Sequence, residues 1–133
     1  MSKKSFLVLS VTWIMLLRVT SCAWESQQLY DNGVSDEEYV SIARVHDDAQ
    51  AFLRKYPQAE TYVDRSGRLA VDFRVTTRPV TSTTQHWEGI RLRVFIDPKT
   101  NQPTETFIQC NDRIMKNNVR QYLEQYFKTQ TCP

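Results

Sequence analysis

At Pro57 the spacing of the apolar residues changes from helical to alternating, and this switch restricts the chain to a helix packed on an antiparallel sheet. Before Pro57, the residues Tyr39, Ile42, Ala43, His46, Ala49, Phe52, Leu53 and Tyr56 recur every three or four positions, drawing one apolar stripe. Ser35-Asp36-Glu37-Glu38 opens that helix as a capping box, with three acids complementing the positive end of the helix dipole. Pro57 closes it, because the residue before a proline is driven out of the helical region.

Beyond Pro57 the period is two. Thr61, Val63 and a Ser66-Gly67 turn lead into Leu69, Val71, Phe73 and Val75, which alternate with Arg68, Ala70, Asp72, Arg74 and Thr76. Ile90, Leu92, Val94 and Ile96 repeat the pattern against Arg91, Arg93 and Phe95. Asp97-Pro98-Lys99-Thr100-Asn101 supplies turn chemistry, and a shorter strand is expected over about Glu105 to Cys110. A second helix, capped by Asn111 or Asp112, is expected to place Met115, Val119, Tyr122, Leu123, Tyr126 and Phe127 on one face. The expected fold is α+β: an antiparallel sheet of three to four strands packed on an N-terminal helix, plus a C-terminal helix tied by a disulfide.

The first 23 residues do not belong to that pattern. Lys3 and Lys4 precede an apolar run from Phe6 to Leu17, followed by Arg18-Val19-Thr20-Ser21-Cys22-Ala23. This is the layout of a secretory signal peptide, and the run is too short for a spanning helix of roughly 17–25 residues. Two cleavage sites fit. Ser21-Cys22-Ala23 suits ordinary signal peptidase, while Val19-Thr20-Ser21-Cys22 resembles a lipobox that would lipidate Cys22. Residues 24–133 are then a single domain with one modest core, exported to the periplasm or beyond, and membrane-bound only if anchored through Cys22.

Removing Lys3, Lys4 and Arg18 from 17 basic residues leaves 14 against 15 acidic ones, so the +2 of the whole chain becomes −1. No global field remains to draw the domain to nucleic acid. Cysteine parity is also informative. With Cys22 removed or lipidated, Cys110 and Cys132 form an even pair in an oxidising compartment, and a disulfide between them is expected to contribute about 3 kcal/mol.

Catalysis has no visible carrier. The chain lacks G-x-S-x-G, H-E-x-x-H, P-loop and EF-hand patterns, and two histidines give a metal or a nucleophilic thiol few partners. No cofactor is implied. His46-Asp47-Asp48 resembles half of a metal-dependent phosphohydrolase site, but such a site needs further histidines, and the plainer reading packs His46 beside the apolar stripe. Two features point instead to binding. The loop from Thr77 to Glu88 is polar, long for a hairpin and ends near Trp87, a preferred interface anchor; the plainer reading is a mobile connection whose Trp87 folds back on the sheet. Arg74, Arg91 and Arg93 belong on the polar side of two neighbouring strands, where they can hold an anion or form a solvated face balanced by Asp72 and nearby acids.

Three stretches carry a family resemblance: Asp48 to Ala59 with its Tyr56-Pro57-Gln58-Ala59 junction, Leu69 to Val75, and Val94 to Thr100 with its Ile96-Asp97-Pro98 turn. Together they resemble PepSY-like domains over about half of the chain beyond residue 23. The family's turn glycine is Asn101 here. The resemblance implies a small exported α+β module, non-catalytic, that binds or restrains partner proteins. Two functions are therefore expected: a PepSY-like or cystatin-like binding module for a protein or peptide partner at the cell envelope, or a carrier of a small ligand or anion on the Arg74/Arg91/Arg93 face.

Overall fold

The computed structural model describes residues 32–78, 80–81 and 86–132; the expected signal segment, Cys22 and part of the Thr77–Glu88 loop lie outside the described residues. The order is α1 (Asp36–Arg44), α2 (Asp47–Lys55), β1 (Glu60–Asp64), β2 (Ala70–Arg78), β3 (Glu88–Asp97), β4 (Gln102–Cys110), β5 (Arg113–Met115) and α3 (Val119–Thr129). The strands form an antiparallel meander in the order β1-β2-β3-β4-β5. The fold is α+β as expected, with five strands where three to four were read.

The N-terminal helix is two helices. The capping box forms, Ser35 Oγ accepting from Glu38 N (3.2 Å) and Glu38 Oε2 from Ser35 N (2.9 Å). At His46 the backbone turns extended (φ −67°, ψ 135°), and the imidazole Nδ1 accepts from Asp48 N at 3.2 Å, capping α2. Asp47 and Asp48 then occupy the first turn of α2, where their charge complements the new dipole. His46-Asp47-Asp48 is thus a helix start, and the single helix expected over this region is corrected to a bent pair. The apolar stripe survives the bend, because Tyr39, Ala43, Ala49 and Phe52 are all fully buried.

The C-terminal region differs more. Asn111 and Asp112 cap no helix; they form a two-residue turn with Asn111 at φ 53°, and Cys110 pairs with Arg113 across it. Asparagine tolerates this left-handed conformation better than most residues. Met115 consequently lies on β5, opposite Ile108, and α3 begins only at Val119. Val119, Leu123 and Tyr126 face inward as the periodicity required. Asn101 likewise takes a left-handed φ of 52° in the β3–β4 turn, where Asp97 Oδ1 accepts from Lys99 N at 2.8 Å.

The core fills the space between the helices and one face of the sheet. Val71, Phe73, Ile90, Leu92, Val94, Ile96, Ile108 and Cys110 meet Tyr39, Phe52, Leu123 and Tyr126 there. The Tyr56 ring stacks against Phe52 (5.3 Å) and Phe127 (5.9 Å), joining α2 to α3. Cys110 and Cys132 form the expected disulfide, with Cα atoms 5.6 Å apart, fastening the segment after α3 to the end of β4. Among the described residues no helix is long and apolar enough to cross a membrane.

Candidate functional site

The period-two pattern that fills the core also sends every second residue to the opposite face of the sheet. There β1 contributes Glu60, Tyr62 and Asp64, β2 contributes Asp72 and Arg74, β3 contributes Arg91, Arg93 and Phe95, and β4 contributes Phe107 and Gln109. Among the described residues no helix covers this face. The register brings Asp72 opposite Arg93 on one side and Tyr62 on the other, and sets Arg74 directly opposite Arg91. Two like charges in direct register repel. Asp72, one diagonal step away from the pair, supplies the compensation.

Asp72 is completely buried beneath these side chains. Its Oδ1 accepts from Arg93 Nε at 2.6 Å, while its Oδ2 accepts from Arg93 (2.9 Å), Arg74 (2.8 Å) and Arg91 (3.3 Å). Arg93 also reaches Asp64 at 3.1 Å. Burial opposes the charge on Asp72, but hydrogen bonds from Arg93 and Arg74 and the charges of Arg93 and Arg91 outweigh it, so the carboxyl lies below the usual aspartate range. Asp72 is therefore a charged counter-ion at neutral pH. Arg91 is pushed down by burial and by the repulsion of Arg93 and Arg74, against the pull of Asp72. Arg93 is raised, chiefly by its hydrogen bond to Asp72.

Aromatic rings lie against the guanidinium groups. Arg74 lies 5.0 Å from the Tyr62 ring, Arg91 and Arg93 lie 5.9 and 5.6 Å from Phe107, and Arg68 lies 4.1 Å from Phe95. Arg68 is ion-paired with Glu105. Gln109 links the layer to the last hairpin, its oxygen accepting from Arg91 and its Nε2 donating to Asn111 O at 2.8 Å.

Trp87 sits on the same face. Of the loop expected over 77–88, Thr77 and Arg78 extend β2 and Glu88 begins β3. The indole donates to Thr76 Oγ1 at 3.1 Å, and the ring lies close over Gly89. Trp87 is half-buried against the sheet and not held away from it. It walls a cleft of about 280 Å³ together with Arg74, Arg91 and Gln109. The two features that the sequence offered as separate candidates, the tryptophan loop and the arginine face, thus meet in one place. Arg93 stands outside that cleft, occupied by Asp72 and Asp64.

Sequence reasoning missed Gln109, Phe107, Tyr62 and Asp64. The alternation of β4 puts Phe107 and Gln109 on one side, but their partners on β3 depend on a register shift between Val94 and Ile96 that no local pattern announces. Among the described residues no group of three or more histidine, cysteine, aspartate or glutamate side chains is placed to hold a metal ion. Comparison with protein-family models, with curated proteins and with solved structures yields no match.

Proposed function

We propose that this protein is an exported, non-catalytic binding module that engages a protein or peptide partner at the cell envelope through the open face of its sheet. One observation carries the reading. A face free of covering helices among the described residues presents Trp87, Tyr62, Arg74 and Arg91 side by side, the residue types that dominate the energetic centres of protein interfaces. The signal-like first 23 residues and the Cys110–Cys132 disulfide support export, since such a bond persists in an oxidising compartment. The PepSY-like stretches support the same class of function.

A free small-ligand carrier has less support. The space between helices and sheet is occupied by Tyr39, Phe52, Phe73 and Leu123, all fully buried, so a ligand is confined to surface clefts such as the one at Trp87. The test compares single substitutions for capture of the partner. Trp87→Ala is expected to weaken capture by about 2 kcal/mol, as truncation of an interface anchor does, while Arg54→Ala on the exposed side of α2 leaves it unchanged. Equal effects of the two substitutions would refute the assignment of the face.

A further inference from the structure

The three arginines do not share Asp72 equally. Arg93 takes both carboxylate oxygens and adds Asp64, so its charge is matched. Arg91 spends one N–H on Asp72 and one on Gln109. Among the described residues Arg74 makes a single hydrogen bond, to Asp72, from a group that carries five N–H donors. The Nε–H groups of Arg74 and Arg91 are buried and have no hydrogen-bond partner among the described residues. Unfilled buried donors are costly, and both belong to side chains that line the Trp87 cleft.

The lining of that cleft has one sign. Among the described residues two guanidinium groups border it and no carboxylate does; Asp72, the carboxylate they share, is wholly buried. Gln109 is held at both ends, its oxygen accepting from Arg91 and one N–H donating to Asn111 O, so it is neutral and fixed in place. The indole N–H of Trp87 is taken by Thr76, which leaves the ring as an apolar wall. Glu60, directly opposite Arg74 across β1–β2, is exposed, makes no ion pair with Arg74 and lies outside this cleft, so within the cleft the charges on offer are those of Arg74 and Arg91.

We propose that the cleft between Arg74, Arg91, Gln109 and Trp87 is a subsite for one carboxylate of the bound partner, with Arg74 donating to the carboxylate and Trp87 packing on the hydrocarbon that carries it. The inference rests on the open-face reading above and specifies what that face selects. A planar carboxylate matches the fork of a guanidinium and carries the charge opposite to the cleft's lining. A cleft of about 280 Å³ suits a side chain or chain end projecting from a larger partner. The carboxylate has two possible sources, an acidic side chain or a peptide C-terminus.

The experiment uses the exported protein labelled with ¹⁵N and follows the indole N–H of Trp87 during titration with three peptides. These are a doubly blocked Leu-Glu-Leu, its Leu-Gln-Leu counterpart, and an acetylated Leu-Leu with a free C-terminal carboxylate. At least tenfold tighter binding of either carboxylate peptide than of the Gln peptide is expected, and the preferred one identifies the source. Arg74→Gln is expected to bring that ratio below threefold, whereas Arg54→Gln leaves it intact. If Arg74→Gln does not fold, Arg74→Lys, which keeps the charge and loses the fork, is expected to reduce the ratio at least threefold. Equal affinity for the Glu, Gln and free-carboxylate peptides, or a ratio untouched by the Arg74 substitutions, would overturn the subsite. Should that happen while Trp87→Ala still weakens partner capture, the binding face stands and only its carboxylate preference falls.

Discussion

Replacing Asp72 by Asn keeps the shape of the side chain and removes the charge on which three guanidinium groups converge. The carboxylate accepts four charge-assisted hydrogen bonds, two from Arg93 and one each from Arg74 and Arg91. The amide can accept on one oxygen only, and its NH₂ is forced against donors. Breaking a buried ion pair by removing one partner costs about 3–5 kcal/mol. The arginine side chains are 17–32% exposed, so each recovers some hydration when the carboxylate goes, and Asp64 still serves Arg93. The lower end of the range applies, about 3 kcal/mol. In a domain of this size that lowers Tm by about 12 °C or more. Urea unfolding of Asp72→Asn beside the unsubstituted protein measures it. Adding Arg91→Met, which removes the cation repelled by its neighbours, is expected to restore about 1 kcal/mol. A loss below about 1 kcal/mol for Asp72→Asn would refute the idea that this carboxylate holds the face together.

Other expectations follow from single contacts. The folded-state pKa of Asp72 lies below its unfolded value, so its contribution is complete above about pH 4 and is lost as pH falls through the lower, folded value; Asp72→Asn should flatten the acid limb of a stability–pH curve. His46→Ala removes the cap of α2 and should cost about 1 kcal/mol in denaturant titration, whereas His46→Asn, a good capping residue, should cost less. Gly89→Ala would drive a methyl group into the carbonyl of Val75 and to 2.8 Å from the Trp87 ring, so a loss of about 2 kcal/mol is expected, with a displaced indole signal. Cys132→Ser opens the loop closed by the disulfide and should cost about 3 kcal/mol, and the intact protein should weigh two hydrogens less than its reduced form.

Much of the fold was legible because burial imposes a period. The Ser35–Glu38 box, the alternation over Leu69–Val75 and Ile90–Ile96, and the inward face of Val119, Leu123 and Tyr126 each follow from where apolar groups must go. The errors fall where short-range signals compete. Continuous apolar spacing hid the break at His46, although two acids following a side chain that can cap are themselves a start signal. β5 is three residues long, too short for a period, and only the Asn111-Asp112 pair marks the hairpin that makes it.

The site was half legible for a different reason. Alternation alone placed Arg74, Arg91 and Arg93 on one face with Asp72, but the same pattern describes a solvated stripe equally well. What distinguishes the two is the register, which puts Arg74 opposite Arg91 and makes Asp72 the buried centre. The sequence leaves Trp87 open to two readings, the anchor of a recognition loop or a residue folded back on the sheet, and the extension of β2 by Thr77 and Arg78 decides between them. With the strand longer, the tryptophan falls back onto the sheet beside the arginines.

Site-specific photo-cross-linking in producing cells tests the central claim most directly. A benzoylphenylalanine replaces either Tyr62 or Ile114, both 53% exposed on the open face, or Arg54 or Gln125, both exposed on the helices. Adducts of one common mass from the Tyr62 and Ile114 positions, with none from Arg54 or Gln125, are the predicted result. Adducts from the helix positions alone, or none from the open face, would contradict the account.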